Sequence, residues 1–367
     1  MKILFFCGNP QDPLLSSLRK YHQIISCGSQ KSFDIQVKEK TPAIEKVLQK
    51  ASQIDLIFIL EQQPLTIPKN LEKTDIPCAI YLVDSHLHFE TWHKYFAQLF
   101  DIVFFAQKKY VTKAKEMGLR NVFWLPLYSD PKTDKNLDLK RAYDLGFVGT
   151  LNPFHNPRRS LTIWLLKKLF KVRVGRKVFG KNRAEILNQA KIAFNISAAG
   201  DLNFRTFESM ACGAMLLTDS QNGLSNFFKD RKHLIVWRNP YELVTLAHFY
   251  LKNETERKEI AKLGQKEVVK NHTSDNRARD ISKILNSPIM IKRKFEAHDY
   301  YLMARTYLFN YRRGESDSYF KKFLSSGKNS FSDKLKSLAF LTIAKLPPSI
   351  FGIIMVFLRR SAKIINL

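Results

Sequence analysis

Short apolar runs recur along the first third of this chain, at 2–6, 33–37, 55–60, 78–83, 101–106 and 122–126. Each is rich in Ile, Val, Phe and Leu and is bounded by polar residues or proline, as a strand buried on both faces must be. Helical patterns separate them at 13–22, 42–52, 86–100 and 108–117, the last stopped by Gly118. Strand–helix alternation of this kind builds a parallel sheet with helices on both faces.

A polar stretch at 129–141, containing Pro131, reads as a linker, and a second series follows. Strands are expected at 145–148, 172–174, 192–196, 215–218 and 234–237. Helices are expected at 161–170, 184–190, 204–212, 240–251, 254–270 and 276–285. The organisation is therefore an α/β domain over 1–130, a second over 142–287, and an extension over 288–367 with aromatic helical patterns. Open α/β sheets bind ligands outside the carboxyl ends of their strands. The expected site is a cleft that the two domains face.

With 60 Lys+Arg against 33 Asp+Glu, the net charge of +27 calls for a polyanionic partner, although a Lys-rich proteome gives the same number. The 28 Phe, 13 Tyr and 4 Trp exclude a disordered chain. No helix-turn-helix, RNP or zinc-finger pattern points to a specific nucleic acid. Cys7, Cys27, Cys78 and Cys212 form no CxxC pair, which argues against a zinc site and fits a reducing compartment. The run at 2–6 is too short for a signal peptide, and no run reaches the ~20 apolar residues that span a bilayer. A cytoplasmic protein is expected. Residues 331–367 carry six Lys/Arg against Asp333 alone, with an apolar run at 350–358. Such a tail either lies on an anionic membrane surface, peripheral at its inner face, or packs on the body, and the two are compatible.

The stretch most informative about chemistry is 191–219, KIAFNISAAGDLNFRTFESMACGAMLLTD, which reads strand, loop, helix, glycine, strand. Gly200 allows close backbone approach, and the unpaired N–H groups of a helix opening near Asn203 suit a diphosphate. Arg205 can pair bidentately with phosphate oxygens, with Thr206 beside it. Glu208, one turn in, either accepts hydrogen bonds from vicinal hydroxyls or simply complements the helix dipole. Residues 145–184 hold ten Lys/Arg and no acid; of these, Arg158 and Arg159 follow the Gly149 loop and are best placed to meet a diphosphate. Asp84-Ser85-His86-Leu87-His88 follows a first-domain strand. There Asp84 or His86 suits a general base, and Asp84 alternatively caps a helix. His88 and His93 read as structural.

The stretch at 191–219 resembles the donor-binding motif of GT-B glycosyltransferases, α/β proteins of two Rossmann-like domains. More narrowly it resembles the spore-maturation, CgeB-like branch of the group 1 enzymes. Arg205-Thr206-Phe207-Glu208, Ala211-Cys212-Gly213 and Leu216-Leu217-Thr218 carry the likeness. Gly146-Phe147-Val148-Gly149-Thr150 with Arg158-Arg159, and Asn271-His272-Thr273 with Arg277, add to it, over about 76–285. The resemblance implies that Glu208 holds a ribose, that Arg205 and Thr206 hold the diphosphate, and that Gly149 lets the backbone approach it. It also implies no metal and no cofactor, the nucleotide-sugar being a substrate. Many retaining relatives carry a second Glu eight positions earlier; here that position is Gly200, so neither inversion nor retention is implied. The expected function is transfer of a sugar, as by a hexosyltransferase, from a nucleotide-sugar to a cell-surface glycan, glycolipid or lipid-linked acceptor. The competing class is an inactive two-domain scaffold that binds nucleic acid or cell-wall polymer.

Overall fold

In the first seven strands every apolar run that the pattern singles out enters one parallel sheet. They are β1 (Lys2–Phe6), β2 (Gln23–Gly28), β3 (Ile35–Gln36), β4 (Leu56–Leu60), β5 (Cys78–Leu82), β6 (Ile102–Phe105) and β7 (Val122–Trp124), ordered β3-β2-β1-β4-β5-β6-β7. The computed structural model describes residues 1–153, 156–197, 199–288, 294–326 and 330–365. It divides into two units, 1–124 with 283–367, and 125–282. The apolar pattern does not single out β2, because its Ser26, Cys27 and Gly28 dilute the run. Phe5, Phe58 and Phe104 stack across β1, β4 and β6, with ring centroids 5.0 and 6.0 Å apart.

The extension completes this first unit. Helices Ala297–Phe309 and Arg313–Ser325 share its core, with Tyr307, Phe320 and Phe323 all buried. The Tyr307 hydroxyl donates to the Pro68 carbonyl at 3.0 Å. The Tyr319 hydroxyl accepts from the Asn70 amide at 2.7 Å and donates to Glu72 at 3.2 Å. Helices Phe331–Lys345 and Pro348–Ile365 follow, and Leu341, Ala344, Phe351 and Met355 join the same core. A fully buried side chain of this kind contributes about 1.5–3 kcal/mol, so the tail packs on the body. Among the described residues no helix is long and apolar enough to cross a membrane.

The second unit holds β8 (Tyr143–Val148), β9 (Val172–Gly175), β10 (Ala190–Asn195), β11 (Met215–Asp219) and β12 (Ile235–Trp237), ordered β12-β11-β10-β8-β9. Both sheets are parallel throughout. In each, the order reverses beside the first strand: between β1 and β4, and between β8 and β10. The stretch after β7 is held on the second unit. Arg277 donates to the Pro126 carbonyl at 2.7 Å and the Leu127 carbonyl at 3.3 Å, and Ser129 pairs with Thr273. The Arg277 piece of the motif thus clasps the connecting segment. Burial, with the neighbouring Arg277 charge, takes His272 down to about 3, so its ring is neutral.

Candidate active site

The second unit's switch point is spanned by one side chain. Arg205 lies in the first turn of helix Phe204–Ala211; its Nε donates to the Val148 carbonyl at the end of β8 and its Nη1 to Asn195 Oδ1 at the end of β10. The guanidinium lies over the Phe147 ring, 4.5 Å from its centroid. A Cβ at Gly149 would run into that guanidinium and meet the Phe147 ring edge at 3.1 Å, so only glycine fits. Burial first, then the neighbouring Arg159 charge, pulls Arg205 down to about 9, so it remains a cation at neutral pH. Among the described residues no carboxylate salt-bridges it.

Thr206 is fully buried; its hydroxyl donates to Gln221 at 3.0 Å and accepts from Asn195 at 3.4 Å. It belongs to the polar layer that fixes Asn195, and hence Arg205. Glu208 pairs with Arg183 at 2.8 Å, and Arg183 also pairs with Asp134 at 2.5 Å. The side chains of Arg183, Glu208 and Asp134 are 15%, 12% and 1% exposed. One guanidinium therefore serves two enclosed carboxylates. Burial outweighs the pairing with Arg183 and, with the Asp134 charge adding to it, raises Glu208 to about 7.

Beside this lies a cavity of about 450 Å³ at the carboxyl ends of β10, β11 and β12, lined by Asn156, Arg158, Arg159, Ser197, Gly200 and Trp237 among others. Arg158 is exposed, 5.7 Å over the Trp237 ring. Arg159 bonds the Thr150 carbonyl at 3.1 Å and the Ile196 carbonyl at 2.9 Å, which joins the cavity wall to the Gly149 loop. Gly200 takes a φ of +70°, the left-handed turn that glycine favours. Of the residues expected to hold a donor, Arg158 lines this cavity, while Gly149, Arg205, Thr206 and Glu208 do not. A larger depression, about 670 Å³, lies by Met1, Gln23 and Asp55 at the amino ends of β1, β2 and β4, the wrong end of a parallel sheet for a ligand.

In the first unit, Asp84 sits where β5 turns into a helix, Ser85–His88. Its carboxylate makes no capping bond and the residue is exposed. Crowding by surrounding protein, then the Glu61 charge, raises its pKa; contact with water screens and so reduces that rise. His86 is half-buried on the same turn. Beneath them lies a group that pattern reading misses. Glu61, directly after β4, accepts from the Val83 amide at 2.6 Å and the Asp84 amide at 3.0 Å through one oxygen. Its other oxygen meets His93 Nε2 at 2.9 Å, and His93 Nδ1 lies 2.9 Å from the Ser85 hydroxyl. Burial opposes ionisation of Glu61, but the His93 charge and hydrogen bond outweigh it and hold its pKa below the usual carboxylate value.

The helix expected over 86–100 is broken: a wide turn at Phe89–His93 follows Ser85–His88, then short turns at Lys94–Phe96 and Ala97–Leu99. That wide turn carries both Trp92 and His93 inward. The signal for Glu61 is in the sequence, an acid at the carboxyl end of an apolar strand. For His93 there is none, because its role depends on the wide turn. Ser85 is only 1% exposed, so the Ser–His–Glu chain braces the loop and meets no substrate.

The fold is GT-B: two parallel-sheet Rossmann-like halves with C-terminal helices. Residues 138–283 match the model of a family described as glycosyl transferase-like. Among solved structures, Anabaena HepE in complex with UDP-glucose is similar with a TM-score of 0.57 at 12% identity, covering 78% of this chain and 99% of that one. Sucrose-phosphate synthase from Thermosynechococcus elongatus gives 0.54 at 9% identity, covering 78% and 98%. The DNA-modifying enzyme beta-glucosyltransferase gives 0.54 at 13% identity, covering 78% and 100%. At such identities the likeness is one of fold. No curated protein sequence matches the chain.

Proposed function

We propose that this protein is a glycosyltransferase that uses a nucleotide-sugar donor. The observation that carries the reading is Arg205: a cation that no carboxylate salt-bridges among the described residues, bridging the carboxyl ends of β8 and β10 in the room that Gly149 leaves for its guanidinium. It lies in the segment matched as glycosyl transferase-like, and HepE, of the same fold, is solved with UDP-glucose. In this reading the diphosphate lies at Gly149 and Arg205, and Arg158 neutralises charge on the departing nucleotide. Glu208 grips the ribose after exchanging Arg183 for hydroxyl donors, and Thr206 acts through Asn195 rather than on the ligand. Asp84, with His86 on the same turn, takes the proton of the acceptor hydroxyl. The Arg-Thr-Phe-Glu run favours the CgeB-like branch, and the acceptor we favour is a glycan, glycolipid or lipid-linked saccharide at the inner face of the membrane.

The test is a panel of nucleotide-sugars in a thermal-shift assay, followed by transfer assays on wild type, Glu208→Ala and Arg205→Lys. One nucleotide-sugar should raise Tm in wild type and lose that effect in both variants. If none raises it, and nucleic acid binds with a steep salt dependence, the polyanion scaffold replaces this reading.

A further inference from the structure

We infer that the outward faces of helices Phe331–Lys345 and Pro348–Ile365 form a docking surface for an anionic lipid bilayer. The later helix is apolar on two sides. Phe351 and Met355 enter the core, 3% and 0% exposed, while Ile350, Ile353, Val356 and Phe357 are 46%, 71%, 48% and 68% exposed. The spacing of three and four places those four on one stripe. The preceding helix repeats the arrangement, with Leu341 and Ala344 inside and Leu335 and Leu338, 59% and 53% exposed, outside. Isolated exposed apolar residues need no explanation, but consecutive helices each carrying a stripe do.

Charge identifies the occupant. Lys336 and Lys345 are exposed on the first of these helices, where the one acid of 331–367 is Asp333, while Arg359 turns inward to the Phe309 carbonyl and the Tyr311 ring. A second copy docking through the same face would set these like charges against each other, whereas an acidic headgroup layer neutralises them. Neither helix is long and apolar enough to span, so the geometry is that of helices lying in the interface. The tail thus does both jobs its composition allows: one side closes the first unit's core and the other is left for lipid. This deepens the proposal of a membrane-linked acceptor and gives it a place, but the binding is measurable without any transfer reaction.

The experiment is co-sedimentation of the full chain with extruded vesicles of phosphatidylcholine alone or with about a third phosphatidylglycerol. Binding to the acidic vesicles is expected to exceed binding to the neutral ones at least tenfold and to weaken in 0.5 M NaCl. Ile353→Glu/Phe357→Glu should lower it at least tenfold, with Tm and nucleotide-sugar binding as in wild type. In parallel, Ile353→Cys carrying an environment-sensitive dye should shift its emission to the blue on acidic vesicles. The dye reports one site, because the four native cysteines are buried. The inference is overturned by absent binding to acidic vesicles, by wild-type binding of the double variant, by an unshifted label, or by a dimer that the same double substitution dissolves. Failure here with intact donor binding leaves the glycosyltransferase reading standing; loss of donor binding alone leaves the lipid surface standing.

Discussion

Two switch points, one in each sheet, show what the same architecture can be made to do. Between β1 and β4 the first unit fills the crevice with side-chain amides and the buried Asp12 that Gln62 holds. Gln62 accepts from the Asn9 amide at 3.0 Å and donates to Asp12 at 2.8 Å, and a Cβ at Gly8 would lie 2.7 Å from the Gln63 backbone. Two further carboxylates, Glu61 and Asp84, stand at the ends of β4 and β5. Between β8 and β10 the second unit fills the equivalent crevice with the guanidinium of Arg205. One sheet thus carries carboxylates at the ends of its central strands, and the other a guanidinium across its switch point. A switch point is a geometric opportunity, and the side chain placed there decides its electrostatics.

The sharpest way to break the contrast is to remove the cation on which the second unit's carboxylates depend. Arg183→Leu leaves Glu208 and Asp134 enclosed without a counter-ion and should cost about 3–5 kcal/mol in urea unfolding at pH 8. Burial raises both carboxyls, so the loss should shrink as the pH falls and they take up protons. A loss that does not vary with pH would refute that origin.

Next in size is Arg205→Lys, which keeps charge but cannot reach both Val148 and Asn195. We expect about 100-fold weaker nucleotide-diphosphate binding by calorimetry, or about 2–3 kcal/mol. An unchanged affinity would remove Arg205 from the site.

The first unit is probed by Glu61→Gln. Two oxygens now serve His93 and two backbone amides, and an amide group offers only one, so about 2 kcal/mol should be lost. Because Glu61 is held below its usual 4.5, its stabilisation is present above that value and is lost as the pH falls through the depressed pKa. The variant should therefore show a flatter acid limb in unfolding. Its charge also raises Asp84, so the acid limb of kcat/KM should move to lower pH in Glu61→Gln if Asp84 is the base. An unmoved limb assigns the base elsewhere.

The smallest effect is expected at Arg158→Ala. The side chain is exposed and touches Trp237. Stability should stay within about 0.5 kcal/mol while KM for the donor rises about tenfold.

Which parts of this were legible beforehand follows from range. The 191–219 segment could be read because its strand, helix and glycine are set by local pattern, and the switch-point arginine lies inside it. Strand β2 was hidden because Ser26 and Gly28 break the apolar run, and only pairing with β1 and β3 makes it a strand. Apolar spacing predicts one helix over 86–100 because it does not reveal a wide turn.

The amino-acid order alone determined two α/β halves, the basic excess and the position of the Arg205 motif, because these rest on periodicity and composition within a few turns of chain. Only the tertiary structure decided that Glu61 and His93, 32 residues apart, share a buried hydrogen bond beneath Asp84. It also decided that Arg183 ties Glu208 to Asp134, and that the tail closes the first unit's core while leaving one face bare. Each of these is a contact between distant segments, fixed by how sheets and helices pack, and side-chain spacing along the chain carries no record of it.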